Sequence, residues 1–292
     1  CTAASGDRTG SAVITINPLP TITGTLSACV SSTTQLTGSA TADATTPWSS
    51  ASTGVATISN TGLITGISAG TSVISYKNTN GCIKTETVTI HALPTVSIPN
   101  TPQSLCKSSG SPSGSVITPT ATTTISTYQW YSNTTASNTG GTQVATTNTF
   151  TPPNTNAGEL YYYVTVTNNN GCIATSNVSG SIKVYSQPTI TPLPTSTSYC
   201  INAGAATLTP TITNGGYGTL SYQWYSNTTA STTGATLIPN ETSATYTPTT
   251  TVAGVKYYYV IATNGGPTSA SNCNTLTSNF AEIKVYATPT IP

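Results

Sequence analysis

Short runs of alternating apolar and polar residues punctuate the chain. In Tyr128–Tyr131 the alternation groups Tyr128 with Trp130, and in Tyr162–Val166 it groups Tyr162, Val164 and Val166. A period of two marks a β-strand with one buried face. Further strand-like runs are Ala12–Ile16, Thr85–Ile90, Ser115–Thr122, Asn177–Val184 and Ala281–Val285. Turns rich in Thr, Pro, Asn and Gly separate such runs every 8–12 residues or so, the rhythm of a β-sandwich. Strong helix formers are sparse, while Thr, Val, Ile and Tyr abound and favour strands. The expected fold class is all-β.

Long blocks of the pattern recur. Tyr128-Gln-Trp-Tyr-Ser-Asn-Thr-Thr-Ala-Ser137 returns as Tyr222 to Ser231, and Ala157-Gly158 with Tyr161–Val164 returns as Ala253-Gly254 with Tyr257–Val260. Ser176-Asn177 through Val184 returns as Ser278-Asn279 through Val285. Recurrence at a period near 90 residues marks tandem domains. It also argues against a disordered, mucin-like stalk, which the Ser, Thr, Asn, Gly and Pro content would otherwise suit.

The seven cysteines are Cys1, Cys29, Cys82, Cys106, Cys172, Cys200 and Cys273. Steps of 28, 24 and 28 residues alternate with steps of 53, 66 and 73. Nearly constant short steps and variable long ones suggest that each long step holds a domain body. Cys82 and Cys172 follow Asn-Gly and precede a strand-like run and then a proline. The phase predicts the pairs Cys29–Cys82, Cys106–Cys172 and Cys200–Cys273, each clamping one pole of a sandwich. Cys1 then stands at the second-cysteine position of a truncated repeat; a lipidated mature N-terminus is the competing reading. The expected domains are 1–18 (last strand of a truncated repeat), 19–93, 94–187, 188–288 and 289–292 (start of another). Leu19-Pro20, Leu93-Pro94, Gln187-Pro188 and Thr288-Pro289 mark the junctions. Proline stiffens such junctions, so the sandwiches are expected to form an extended rod.

Charge removes whole classes of function. Only 4% of residues are charged, against about a quarter in a typical soluble protein. Seven Lys and Arg cannot form the basic surface that nucleic acid requires. Six Asp and Glu are too few for calcium-binding repeats. No apolar stretch approaches the roughly 18 residues of a membrane span. His91, the sole histidine, lies beside a domain junction, a poor place for a catalytic base. Neither zinc-ligand spacing nor a phosphate-cradling glycine loop occurs, so no enzyme activity and no cofactor are expected.

The block Trp48-Ser-Ser, Ala56-Thr-Ile58, Gly62-Leu-Ile-Thr-Gly66 and Ala69-Gly-Thr71 resembles bacterial group 2 Ig-like domains. The later repeats, through Tyr-Gln-Trp-Tyr, Ala-Gly with Tyr-Tyr-Tyr-Val, and Asn-Gly-Cys172, resemble Ig-like or PKD-like modules of giant cell-surface adhesins from gliding Bacteroidota. The resemblance implies a structural and adhesive stalk, extracellular, on a cell surface or in a filament. Its expected partners are neighbouring repeats and laterally or end-to-end associated copies, including strand addition by residues 1–17. The alternative is a set of carbohydrate-binding or accessory modules of a secreted enzyme. Tyr161, Tyr163, Tyr257 and Tyr259 are the candidate glycan contacts, because alternation turns them away from Tyr162 and Tyr258. Asn133, Asn177, Asn227 and Asn240 begin Asn-X-Ser/Thr sequons, expected to stay bare in a bacterium. Thr-X-Thr stretches lack the short period of an ice-binding array.

Overall fold

The computed structural model describes residues 16–107, 114–213, 218–264 and 275–289. All the regular elements among them are β-strands. The chain forms two compact units. The first comprises Cys1–Val96, Ala121–Thr127 and Thr165–Ala174; the second comprises Ser97–Thr120, Tyr128–Val164 and Thr175–Pro292.

The first unit is built on two four-stranded sheets. One contains β1 (Ile22–Gly24), β3 (Thr33–Gly38), β6 (Leu63–Gly66) and β5 (Ala56–Ile58), hydrogen-bonded in that order. The other contains β2 (Ser27–Cys29), β8 (Ile83–His91), β7 (Gly70–Lys77) and β4 (Trp48–Ser50). Alternation decides which side chains meet between them. On β7, Ser72, Ile74 and Tyr76 are buried while Val73 faces out. Leu36, Ala56 and Ile64 from one sheet join Trp48, Ile74, Tyr76, Val88 and Ile90 from the other in a single core. Burying each larger apolar side chain contributes roughly 1.5–3 kcal/mol. Tyr76 packs against Trp48 with ring centroids 4.6 Å apart and donates its hydroxyl proton to the Ala40 carbonyl at 3.0 Å. A buried phenol thus keeps a hydrogen bond that burial alone would cost it.

Two six-stranded sheets share one topology. In the first, β10 (Gln103–Cys106), β16 (Ile182–Tyr185), β14 (Gly158–Asn168), β12 (Ile125–Asn133) and β13 (Thr142–Ala145) follow in order, with β15 (Ile173–Thr175) paired to β14. In the second, β18 (Ser196–Cys200), β24 (Ala281–Tyr286), β22 (Gly254–Asn264), β20 (Leu220–Asn227) and β21 (Thr236–Leu237) do the same, with β23 (Thr275–Thr277) paired to β22. The recurring Ala-Gly pair opens β14 and β22 with φ of 146° at Gly158 and 142° at Gly254, a conformation that excludes most other residues.

Repeated residues make repeated contacts. Trp130 stacks on Phe150, which meets Tyr162 at a tilt; Trp224 meets Tyr246 and Tyr246 meets Tyr258. The indole N–H groups of Trp130 and Trp224 donate to the carbonyls of Thr147 and Ser243. Asn177 grips both backbone groups of Ile98, and Asn279 those of Leu193. These side-chain grips replace part of the sheet ladder expected over Asn177–Val184, where the strand covers only Ile182–Tyr185. Ser115–Thr122 likewise shortens to an Ile117–Phe150 bridge and β11 (Thr120–Ala121), which pairs with β9 (Val96–Ser97). The run Ala12–Ile16 lies almost wholly outside the described residues.

Ser176 and Ser278 are buried, and their hydroxyls accept the N–H of Val164 and Val260 while donating to the carbonyls of Asn177 and Asn279. Removing either hydroxyl strands a buried amide, which costs about 1–3 kcal/mol. Ser176→Ala and Ser278→Ala are each expected to lower denaturant stability by that amount, whereas the exposed Thr233→Ala leaves the unfolding midpoint unchanged.

Candidate functional site

The site is assembled from two cysteine settings that recur among the described residues. The first ends a short strand running parallel to the repeat's last strand. Cys29 is in register with His91, Cys106 with Tyr185 and Cys200 with Tyr286. The residue after each cysteine donates its N–H to that register partner: Val30 to His91 at 3.0 Å, Lys107 to Tyr185 at 2.8 Å and Ile201 to Tyr286 at 2.8 Å. Ser31 and Asn202 follow with φ of 64° and 63°. The backbone geometry around Cys29 and Cys200 is therefore the same.

The second setting is a tight hairpin turn. The Asn78 carboxamide oxygen accepts the N–H groups of Asn80 and Cys82; that of Asn168 accepts those of Asn170 and Cys172. Gly81 and Gly171 take φ of 77° and 78°, as this turn demands. Beyond the turn, the Cys82 sulfur lies 4.0 Å from the Asn17 carbonyl and the Cys172 sulfur 4.0 Å from the His91 carbonyl. Each hairpin cysteine thus sits against a backbone carbonyl five residues ahead of a short strand, β1 or β9.

These settings lie at opposite ends of one repeat. Cys29 is level with His91 at the end of β8, while Cys82 immediately precedes its start at Ile83. Eight steps of about 3.3 Å place those levels roughly 26 Å apart, and a disulfide needs Cα atoms within about 7 Å. The bond that forms is Cys29–Cys172, with Cα atoms 5.6 Å apart across a sequence separation of 143. The expected pairs Cys29–Cys82 and Cys106–Cys172 are thereby corrected: β8 holds the first two cysteines apart, and Cys172 of the second pair is taken by Cys29. Cys82 and Cys200 are free thiols, the former half-buried and the latter exposed. That corrects Cys200–Cys273 as well; Cys273, like Cys1, lies outside the described residues. Cys106 is disulfide-bonded. The sole histidine serves this arrangement through its backbone, not its imidazole.

The tyrosine strands carry fewer surface rings than alternation suggests. Tyr163 and Tyr259, expected outside, are 4% and 3% exposed. A neighbouring strand covers each: Tyr163 stacks on Tyr131 with centroids 5.0 Å apart, and Tyr259 on Tyr225 at 5.1 Å. The Tyr163 hydroxyl also accepts the Gly141 N–H at 3.0 Å. Tyr161 and Tyr257 are half-buried and donate to the carboxylates of Glu159 and Glu282 at 3.2 and 3.1 Å. Those hydrogen bonds to the neutral phenol raise both phenol pKa values. Charges pair locally, Lys77 with Asp43, Lys84 with Glu86 and Lys284 with Glu282, and exposed pairs of this kind contribute little. Among the described residues no three His, Cys, Asp or Glu side chains cluster to hold a metal ion.

Besides Asn177, two further sequon asparagines have structural tasks. The Asn133 amide donates to the carbonyls of Ser137 and Thr139, and that of Asn227 to Ser231 and Thr233. They tie the loop after each Tyr-Gln-Trp-Tyr strand, which accounts for the recurrence of Ser-Asn-Thr-Thr-Ala-Ser.

Residues 92–185 match the family model described as "Ig-like domain CHU_C associated". No curated protein matches the chain. Among solved structures, the I-band fragment I67–I69 from titin is 10% identical, with 93% of this chain and 100% of that one covered at a TM-score of 0.45. Three N-terminal domains of the bacteriophage RB49 highly immunogenic outer capsid protein are 14% identical, with 92% and 98% covered at 0.43. The chain is an all-β tandem array, and residues 92–185 of it match an Ig-like domain.

Burial pushes the phenols of Tyr162 and Tyr246 up to about 12; at Tyr246, Tyr258 and Glu241 add to the effect. A phenol whose folded value lies above its unfolded value near 10 stabilises the fold fully below pH 10. That contribution is lost as pH rises through 12. The denaturant midpoint is therefore expected to stay flat from pH 7 to about 9 and to fall between 10 and 12, less steeply in Tyr162→Phe and Tyr246→Phe. A fall below pH 9 would contradict this assignment.

Proposed function

We propose that these Ig-like repeats are the tension-carrying stalk of an exported bacterial surface adhesin or extracellular filament, and that their disulfides limit its extension. The observation that carries this reading is the Cys29–Cys172 bond. It joins cysteines that belong, in the repeat phase, to consecutive repeats, 19–93 and 94–187. Force entering at residue 20 and leaving at residue 187 crosses the sulfur–sulfur bond and bypasses everything between the two cysteines. The family model matched by residues 92–185 supports a surface location in Bacteroidota. A chain with only 4% charged residues suits a structural role.

The alternative of glycan-binding accessory modules retains Tyr161 and Tyr257 as candidate contacts, each ring beside a carboxylate. It loses Tyr163 and Tyr259 to the interior.

Single-molecule pulling tests the stalk reading. With handles at residues 20 and 187 of the full chain, a separation of 143 residues corresponds to about 480 Å of withheld length at ~3.4 Å per residue. Reduction, or Cys29→Ser, is expected to release that length. Equal contour lengths for oxidised and reduced chains would overturn the reading.

A further inference from the structure

The free thiols Cys82 and Cys200 occupy the same two settings as the bonded pair. Cys82 duplicates the Cys172 turn: the same asparagine carboxamide bonds, the same glycine φ within 1°, and the same 4.0 Å approach to a carbonyl ahead of a short strand. Cys200 duplicates Cys29: the parallel register, the following N–H bond and the left-handed residue two positions on. Cys106, the third residue of the Cys29 type, is itself disulfide-bonded. A lone thiol says little, but these two repeat positions that are bonded elsewhere in the chain.

We infer that Cys82 and Cys200 are half-staples, each made to bond the complementary cysteine of a further sandwich of this kind. The rule is that a strand-end cysteine bonds the hairpin cysteine of the next repeat. Cys200 therefore takes a cysteine that follows an Asn-Gly type turn, and Cys82 takes one that ends a short parallel strand. The same rule assigns Cys106 to Cys273. Each bond forms when two thiols lose two protons and two electrons. An organic disulfide accepts them and is cleaved to two thiols, the first protein thiolate attacking it and the second displacing the remaining leaving thiol.

The rule explains the cysteine arithmetic. The nearly constant steps, 82 to 106 and 172 to 200, become covalent links that run from a hairpin cysteine through the last strand and the proline junction to the next strand-end cysteine. The variable steps, 29 to 82, 106 to 172 and 200 to 273, are sheltered between staples. By this rule the bond made by Cys106 encloses a stretch of chain that overlaps the one enclosed by Cys29–Cys172, so the staples interleave from repeat to repeat. Length is free to vary in the sheltered segments and constrained in the links.

The test is a non-reducing peptide map of the protein from the cells that make it, alkylated in acid to trap free thiols and digested with pepsin. The expected map joins Cys106 to Cys273, Cys200 to a hairpin cysteine, and Cys82 to a strand-end cysteine, with no alkyl label on either. Cys200 bonded to Cys82 of a second copy obeys the same rule and supports it. Alkylated Cys82 and Cys200, a small-thiol cap on them, or a pair of like settings such as Cys200–Cys200 would overturn the inference. Cys29–Cys172 is read in the same map. Its presence beside free Cys82 and Cys200 would sink the half-staples alone, and its absence would count against the stalk reading.

Discussion

The Cys29–Cys172 bond exists because one strand keeps the two cysteines of the first repeat apart. β8 is nine residues long, with Cys82 just before it and Cys29 level with its last residue. No rotamer or loop adjustment closes a gap of roughly 26 Å. The sulfurs must look outside their own repeat, and the hairpin turn of Cys172 supplies the partner of Cys29.

The rest of the fold compensates for a thin core. Hydrophobic residues make up only 36% of the chain, and two phenylalanines are present. Aromatic triads around Trp130 and Trp224 concentrate the buried apolar area, and buried Ser and Asn side chains satisfy backbone groups where the ladder stops. A long-loop disulfide adds about 4–5 kcal/mol on the chain-entropy model, comparable with the 5–15 kcal/mol total of an ordinary domain. Covalent stapling is therefore large on the scale of the stability it supplements.

Much of this was legible in the residues. Alternation, turn spacing and the recurring blocks gave an all-β tandem architecture, and the phase of the cysteines separated a first from a second cysteine in each repeat, the second in a turn; that the first ends a parallel strand came from the structure. Pairing was not legible, because spacing along a chain says which repeat a cysteine belongs to but not at which end of the sandwich it stands. Counting strand length from Ile83 to His91 held the missing signal. Tyr163 and Tyr259 were misplaced for a related reason: alternation gives the face, but Tyr131 and Tyr225 on the neighbouring strand decide whether that face is open. Asn177–Val184 reads as strand by composition, yet Asn177 and Ser179 spend their side chains on the backbone instead.

The most direct measurement is the identity of the sulfur bonded to Cys29 in the purified, oxidised chain, read by mass spectrometry of peptides cleaved at low pH. A cross-linked peptide containing Cys29 and Cys172 is the predicted result. A peptide joining Cys29 to Cys82 would restore a clamp within one repeat and contradict the account.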